Sequence, residues 1–322
     1  MGNQMHRFLL TESDLKTFKN DGVVCLRGVL SEKDLLDLKD GVRAQMKGQL
    51  NNYTSYDLEQ LSQQAFQGEN IQAGDAERFD LELLEFVLKT DPDARPIRDK
   101  VEHEGRGKFF YDAAGWRFHE GIKRVALGSV LPNICTALLE TKYTNFWEDT
   151  TFVKAPMTGQ RTVFHQDWSY FQIEGDKCCI AWVPLDSVSE DNGRMEYIRG
   201  SHKWKRYYAP NVLIAQSVDP MSPYEKLPDI EANRDNYDII SFDVEPTDVI
   251  IHHVLTLHGA GGNKTKDKFR RAISFRYTGD DIRYFDKPGA VEQPHVENSL
   301  DNGERLISSD YPLVYGDIPL DC

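Results

Sequence analysis

The chain contains 322 residues, of which 40% are hydrophobic and 28% charged, a composition typical of a folded globular protein with a sizeable core. A net charge of −14 argues against a general nucleic-acid or anionic-membrane surface, because phosphate contacts require clustered Lys and Arg. The sequence has no membrane-spanning apolar run and no signal-peptide core at its N-terminus, so we predict a cytoplasmic protein. Its five cysteines lack CxxC spacing, which argues against a thiolate zinc site or a disulfide framework.

The first part of the chain is rich in helix signals. Thr11 and Ser31 each precede an apolar periodic segment and have an aspartate three residues later, which is the pattern of a capped helix. Apolar spacing of helical type also occurs at 78–91 and, interrupted by a proline, at 127–141. The polar stretch 49–75, rich in Gln and Asn, is predicted to be a mobile insertion or a lid.

From about Asn145 the pattern changes to short strands separated by turns. The segments with strand character are 150–155, 161–171, 177–186, 194–201, 237–244, 247–257 and 270–278. Strands of this number and spacing predict a barrel or jelly roll, not a parallel βαβ sheet. We therefore expect a mainly β protein with flanking helices, folded as one domain over 1–322. In it, a helical part at about 1–143 packs on a β-barrel core at about 144–280, and a C-terminal extension follows at 281–322.

The stretch FHQDWSYF places two metal-binding side chains, His165 and Asp167, two residues apart in a predicted strand. Residues i and i+2 of a strand lie on one face about 7 Å apart, so both can converge on one ion. His258 is the best third ligand, because it ends a later strand and precedes a glycine-rich turn. Two histidines and one carboxylate form the facial triad of non-haem iron(II) oxygenases, which leaves three coordination positions for a 2-oxo acid and dioxygen.

These residues also have ordinary structural interpretations. A histidine and an aspartate at this spacing occur together by chance, and the adjacent His252 and His253 are expected to be structural, one facing inward and one outward. Arg270 shares a strand face with the small Ala272 and Ser274, which leave space for a cosubstrate. Its planar guanidinium can pair with a carboxylate. A surface arginine on a basic turn is the alternative.

Three segments together resemble the phytanoyl-CoA dioxygenase family of iron(II)- and 2-oxoglutarate-dependent oxygenases: HQDWSYF, AWVPLDSVSEDNGRMEYIRGSHKW and HGAGGNKTKDKFRRAISFRY. FKNDGVVCLRGVLSEKDLLDLK resembles the N-terminal segment of the same family, so the likeness extends over roughly 15–280. The resemblance implies a double-stranded β-helix, or jelly roll of cupin type, that uses Fe(II), 2-oxoglutarate and O2. It implies that the iron ligands are His165, Asp167 and His258. Arg270 is then expected to bind the distal carboxylate of 2-oxoglutarate.

The resemblance also implies neighbours for the cosubstrate. Thr162 and Trp182 occupy positions from which family members contact or enclose it. Many relatives have a serine two residues after the second histidine, able to bond the cosubstrate, where this chain has Ala260. Ser274 or Thr162 is therefore predicted to supply the hydroxyl.

The predicted activity is oxidation of a small molecule at an unactivated C–H bond, with release of succinate and CO2. Hydroxylation is the usual outcome in the family, and desaturation, ring formation or rearrangement are alternatives. Two further interpretations stay open: a cupin-like dioxygenase or isomerase that needs no 2-oxo acid, and a non-catalytic metal- or ligand-binding barrel. Neither of these alternatives requires an arginine on the strand after the last histidine. Arg270 therefore favours the 2-oxoglutarate-dependent oxygenase over both.

The sequence does not determine the substrate. Trp168, Tyr170 and Phe171 follow the metal-binding pair and are candidates for the substrate pocket, and 49–75 and 203–236 are candidate covering segments. Aromatic walls suit an apolar or polycyclic substrate, but the same side chains can belong to the core. We expect no nucleic-acid or membrane partner, and the sequence leaves the oligomeric state open.

Overall fold

The computed structural model describes residues 8–47, 50, 56–57, 109–211, 222–287, 290, 293, 295–296 and 300–317. The predicted helix at 78–91 and nearly all of the predicted lid at 49–75 lie outside these ranges. Residues 212–221 of the second candidate covering segment lie outside them as well. Within the described ranges no helix is long and apolar enough to cross a bilayer, and the cytoplasmic location stays a prediction.

The described α-helices all belong to the first half of the chain. They are α1 Glu12–Asp21, α2 Glu32–Met46, α3 Gly115–Phe118, α4 Glu120–Gly128 and α5 Leu131–Leu138. The predicted caps are confirmed, because the hydroxyls of Thr11 and Ser31 each accept from the amide three residues later. Gly22 ends α1 with a positive φ of 76°. Pro132 starts α5 instead of interrupting a longer helix, since a proline without an N–H is tolerated in the first turn.

The strands form two main sheets. They are β1 Val23–Leu26, β2 Tyr56–Asp57, β3 Phe109–Ala113, β4 Thr144–Lys154, β5 Thr162–His165, β6 Ile173–Glu174, β7 Cys178–Pro184, β8 Met195–Ile198, β9 Ile239–Ser241, β10 Val249–His253, β11 His258–Ala260, β12 Arg270–Thr278, β13 Arg283–Tyr284 and β14 Leu313–Tyr315. The large sheet has the order β1-β10-β7-β12-β4-β3-β2, with β14 also paired to β4. The small sheet has the order β5-β11-β8-β9, and β13 pairs with β6.

The large sheet has one face toward the helices and one toward the small sheet. On the outer face, Ile273 and Phe275 of β12 belong to a core cluster with Leu38 of α2 and Val125 of α4. On the opposite face, a second cluster joins side chains of both sheets: Trp182, Ala272, Tyr197 and Ala260 are among its members. We call this second face, which lies toward the small sheet, the inner face. Because side chains alternate along a strand, every second residue of β4, β7, β10 and β12 points there.

The prediction of a helical N-terminal part was incomplete. β1 pairs with β10 and β3 pairs with β4, so strands from the first part of the chain extend the large sheet on both sides. These strands have only four and five residues, too few to show a clear period between helical segments. The C-terminal extension also contributes strands, because β13 pairs with β6 and β14 pairs with β4. The assignment to one domain stays a prediction.

Candidate metal centre and cosubstrate site

The first two predicted metal ligands lie where a strand ends and a helical turn begins. β5 ends at His165, and a 3-10 helix of four residues begins at Asp167. The predicted continuous strand over 161–171 is therefore wrong beyond His165. Asp has low strand propensity, and Ser169 donates a hydrogen bond to Tyr208 O at 2.5 Å, outside the sheet. The two ligands converge because the backbone turns between them, not because they alternate along a strand.

Three ligand atoms meet at this turn. His258 is the first residue of β11 and lies directly opposite His165 in the pairing of β11 with β5. Asp167 Oδ1 lies 3.6 Å from His165 Nε2 and 3.8 Å from His258 Nε2. The three side chains are buried, and their ligand atoms lie within 4.8 Å of one another. In the part of the chain that the structure describes, no other such group of three converges on one point.

Backbone carbonyls fix both imidazole rings. His165 Nδ1 lies 2.8 Å from Val163 O, and His258 Nδ1 lies 2.9 Å from Thr256 O. Because a carbonyl oxygen only accepts, each Nδ1 carries the hydrogen and each Nε2 presents a lone pair to the centre. A histidine that binds metal through Nε2 requires this tautomer, and such a backbone partner is the usual way to hold it.

The charges of the site suit a divalent cation. Burial raises the pKa of Asp167, but the nearby His258, followed by His165 and His252, outweighs it and holds this pKa well below its usual value. Burial, and then the neighbouring His165, lower the pKa of His258 well below its usual value. The site therefore combines an ionised carboxylate with a neutral imidazole, and these are the protonation states that bind metal.

A third histidine, which the sequence did not assign to the site, orients the carboxylate. His252 Nε2 lies 3.1 Å from Asp167 Oδ2, so this oxygen is occupied and Oδ1 is left facing the two ligand histidines. The adjacent His253 lies on the other side of β10, with its ring 6.4 Å from Phe18. The predicted opposite orientation of this pair is confirmed. No sequence signal distinguished His252, since its partner lies 85 residues away in the chain.

The two adjacent arginines of β12 also point in opposite directions, as predicted. Arg271 lies on the outer side and makes a bidentate ion pair with Asp186, at 2.5 and 2.9 Å. Arg270 points to the inner face, where only 2% of it is exposed and its guanidinium carbon lies 5.7 Å from the centroid of the Trp182 ring. Its Nε has no hydrogen-bond partner. Burial lowers the pKa of Arg270 to about 10.

A second buried basic side chain lies beside Arg270. Lys154 of β4 is directly opposite it in the pairing of β12 with β4, and Nζ donates to Gly261 O at 2.7 Å. Burial, and then Arg270, lower the pKa of Lys154 well below its usual value. Among the described residues no carboxylate lies within ion-pair distance of either side chain. A buried guanidinium without an ion-pair partner is costly, and the Lys154 amine beside it is a further donor, so this end of the inner face fits an anionic ligand.

The hydroxyl groups near this end include one that the sequence analysis missed. Tyr197 of β8 lies opposite His258, with the two rings stacked 5.8 Å apart, and its buried hydroxyl has no hydrogen-bond partner. The predicted Thr162 lies opposite Ala260, and the predicted Ser274 lies opposite Trp182. All of these residues are buried at the inner face or across from it. Of the three hydroxyl-bearing side chains, only Thr162 therefore lies directly opposite Ala260 in the strand pairing.

The three aromatic pocket candidates are placed differently from one another. Trp168 is buried, and Lys287 Nζ lies 3.1 Å from the centroid of its ring. Tyr170 packs edge-on against His165, with 5.6 Å between the ring centroids, and its hydroxyl bonds to Asn211 at 2.8 Å. Phe171 is buried in the same apolar cluster as Trp168. Their assignment to a substrate pocket stays a prediction.

Comparison with known proteins decides the family. The sequence model of the family described as Phytanoyl-CoA dioxygenase (PhyH) matches residues 18–272. The chain belongs to the phytanoyl-CoA dioxygenase family. The resemblance seen in the sequence motifs is thereby confirmed, and the enzyme class and cofactors expected from it are those of this family.

Individual phytanoyl-CoA dioxygenases align with about half of the chain. A probable phytanoyl-CoA dioxygenase of Caenorhabditis elegans is 27% identical over 160 residues, which are 48% of this chain and 49% of that protein. The peroxisomal phytanoyl-CoA dioxygenase of Homo sapiens is 29% identical over 151 residues, which are 46% of this chain and 43% of that protein. The chain thus spans about half the length of the curated relatives it matches.

A solved structure is similar over nearly the whole chain. The non-haem alpha-ketoglutarate-dependent carbocyclase SnoK from nogalamycin biosynthesis has a TM-score of 0.62 and 19% sequence identity, with coverage of 95% of this chain and 97% of SnoK. At this identity the likeness shows the fold alone. The predicted mainly β fold with a double-stranded β-helix core is confirmed for this member of the phytanoyl-CoA dioxygenase family.

Proposed function

We propose that this protein is an Fe(II)- and 2-oxoglutarate-dependent dioxygenase that oxidises an unactivated C–H bond of a small-molecule metabolite. The observation that carries the proposal is the pairing of a buried His-Asp-His triad with a buried arginine that has no anionic partner among the described residues. A triad alone is compatible with many metal sites. The inward-facing Arg270 adds the specific requirement for an anion inside the same barrel.

The donor set fits iron(II). His165, Asp167 and His258 would hold the ion through two imidazole nitrogens and one carboxylate oxygen, a mixture that suits a borderline divalent metal with open coordination positions. When bound, iron(II) with 2-oxoglutarate and O2 supplies the oxidising power for C–H cleavage, and succinate and CO2 are the co-products. His252 keeps Asp167 Oδ2 engaged, so that Oδ1 is presented to the centre.

The cosubstrate site fits the distal carboxylate of a 2-oxo diacid. Arg270 would offer its planar fork to that carboxylate, and Lys154 would add a hydrogen-bond donor directly across the strand pair. Tyr197 would donate the hydrogen bond that Ala260 cannot, because its hydroxyl is buried without a partner. Trp182 covers the guanidinium and keeps water from it.

The test is anaerobic titration of the iron(II)-loaded protein with 2-oxoglutarate, followed by exposure to O2. We expect a weak visible charge-transfer band, and then formation of succinate. Zinc-loaded protein should form no succinate, since zinc has no accessible redox change. Absence of the band, or turnover of a substrate without any 2-oxo acid, would favour the cupin-like alternative.

A further inference from the structure

A third arginine of β12, the second on the inner face, lies toward the opposite end of that face from Arg270. Arg276 is six residues further along the strand, on the same face by alternation, and therefore about 20 Å away along the backbone. It is buried, and its guanidinium carbon lies 5.0 Å from the centroid of the Phe171 ring. The fold thus places two buried arginines on one strand, one at each end.

Arg276 has unused hydrogen-bonding capacity. Its Nη1 donates to Thr150 Oγ1 at 2.5 Å, and its Nε is buried without a hydrogen-bond partner. Glu148 lies directly opposite on β4, but its Oε1 lies 2.8 Å from His295 Nε2, and no described carboxylate is within ion-pair distance of Arg276. A buried guanidinium with a free donor edge is costly unless a ligand uses it.

The strand pairing places Arg276 near the metal centre. Ile180 of β7 lies opposite both Arg276 and His252, so the three residues form one row across the inner face. His252 in turn contacts the metal ligand Asp167, and Phe171 follows that ligand by one helical turn. Arg276 is therefore beside the metal centre, on the side away from Arg270.

We infer that Arg276 binds a carboxylate of the primary substrate, so that the protein oxidises a small organic acid. The inference rests on the proposed function and names its substrate class. Nε and Nη2 form the edge of the guanidinium that pairs side-on with two carboxylate oxygens. The ring of Phe171 covers one face of the guanidinium and offers an apolar wall to the body of the acid. A carboxylate suits the site better than a phosphate, because Glu148 already contributes a negative charge nearby.

The experiment measures binding of three carboxylates to the iron(II)-loaded protein by calorimetry without oxygen. The probes are phenylacetate, indole-3-acetate and decanoate, each compared with its primary amide, and phenyl phosphate is an additional probe. 2-Oxoglutarate is kept at saturation, so that the probes cannot occupy the site at Arg270. The variants are Arg276→Met and Arg276→Lys, with Arg271→Met as the matched control on the outer side of the same strand.

We expect at least one acid to bind at least tenfold more tightly than its amide and more tightly than phenyl phosphate. Arg276→Met should remove this preference, Arg276→Lys should restore part of it, and Arg271→Met should leave it unchanged. Equal binding of acids and amides by the wild type, or an unchanged preference in a folded Arg276→Met, would overturn the inference. The charge-transfer band of 2-oxoglutarate, measured in the same samples, reports on the proposed function separately. Its absence would reject that function whatever the carboxylates do.

Discussion

The two ends of the inner face of β12 use the same side chain in different surroundings. At one end Arg270 faces Lys154, and no described carboxylate pairs with either. At the other end Arg276 faces Glu148 and lies against Phe171. The first end places two basic side chains together, which suits the proposed distal carboxylate of a diacid. The second end pairs a basic side chain with an acidic one and an aromatic ring, which suits the proposed carboxylate on a larger organic body. If both proposals hold, ligand choice depends on the neighbours across the strand pair and not on the arginine itself.

The largest effect is expected from substitution of the three metal ligands, which lie between Arg270 and Arg276. His165→Ala, Asp167→Ala and His258→Ala should each abolish iron retention and succinate formation while the fold survives, because two remaining ligands hold the metal weakly. The measurement is iron content after desalting, with circular dichroism as the check on folding. His253→Ala is the control and should retain iron. Loss of iron from His253→Ala, with retention in His258→Ala, would mean that the third ligand is assigned incorrectly.

The next largest effect is expected from substitution of Arg270, the proposed ligand of the distal carboxylate of 2-oxoglutarate. A bidentate charge-assisted contact contributes about 3 kcal/mol when partly buried, so Arg270→Ala should raise the apparent constant for 2-oxoglutarate by roughly a hundredfold. Arg270→Lys should recover only part of the loss. Arg271→Ala should change the constant by less than about threefold, because this side chain faces Asp186 on the outer side. The assay is succinate formation as a function of 2-oxoglutarate, and a reversed ranking of the two alanine variants would contradict the assigned strand register.

A smaller effect is expected from substitution of His252, which lies in one row with Arg276 and contacts the metal ligand Asp167. His252→Leu removes the donor to Asp167 Oδ2, and loss of such a partner typically weakens metal binding by about 10- to 100-fold. Iron affinity should fall, whereas the apparent KM for 2-oxoglutarate at saturating iron should stay near that of the wild type. His252→Gln, which keeps a donor group, should restore part of the affinity. Equal iron affinity in the wild type and His252→Leu would reduce His252 to a packing role.

The smallest effect tests the hydroxyl that replaces the missing serine. Tyr197→Phe removes one hydrogen bond to a carboxylate that Arg270 also binds, worth about 1.5 kcal/mol, so the apparent KM for 2-oxoglutarate should rise about tenfold. Thermal stability without ligands should be unchanged or slightly higher, because the buried hydroxyl has no partner in the free protein. Thr162→Val and Ser274→Ala are the matched comparisons. A larger effect of either one would assign the bond to that residue instead.

The part of the site that could be predicted is the part encoded by local spacing. His165 and Asp167 stand out as a pair, and the small residues that alternate with Arg270 gave the correct register of β12. The wrong continuation of the strand past His165 arose because alternation of side chains does not record a backbone turn.

The contributions of Lys154, Tyr197, His252 and Arg276 could not be predicted in the same way. Each depends on which residue lies opposite in a neighbouring strand, and this register follows from the packing of the whole barrel. The local sequence around each of these residues therefore does not show which residue it will face. The fold class could be predicted because many short strands with turns between them have few alternative arrangements.

The ligand histidines and the cosubstrate arginine belong to different sheets. His165 and His258 lie on β5 and β11 of the small sheet, whereas Arg270 and His252 lie on β12 and β10 of the large one. A metal ion and 2-oxoglutarate bound together by residues of both sheets would therefore connect the two sheets of the jelly roll. Heating should reveal this as synergy: metal plus 2-oxoglutarate should raise the melting temperature by more than the sum of their separate increments, since ligands that bind only the closed native state stabilise it. The concentration of 2-oxoglutarate would then affect the stability of the folded protein as well as the rate of the proposed reaction.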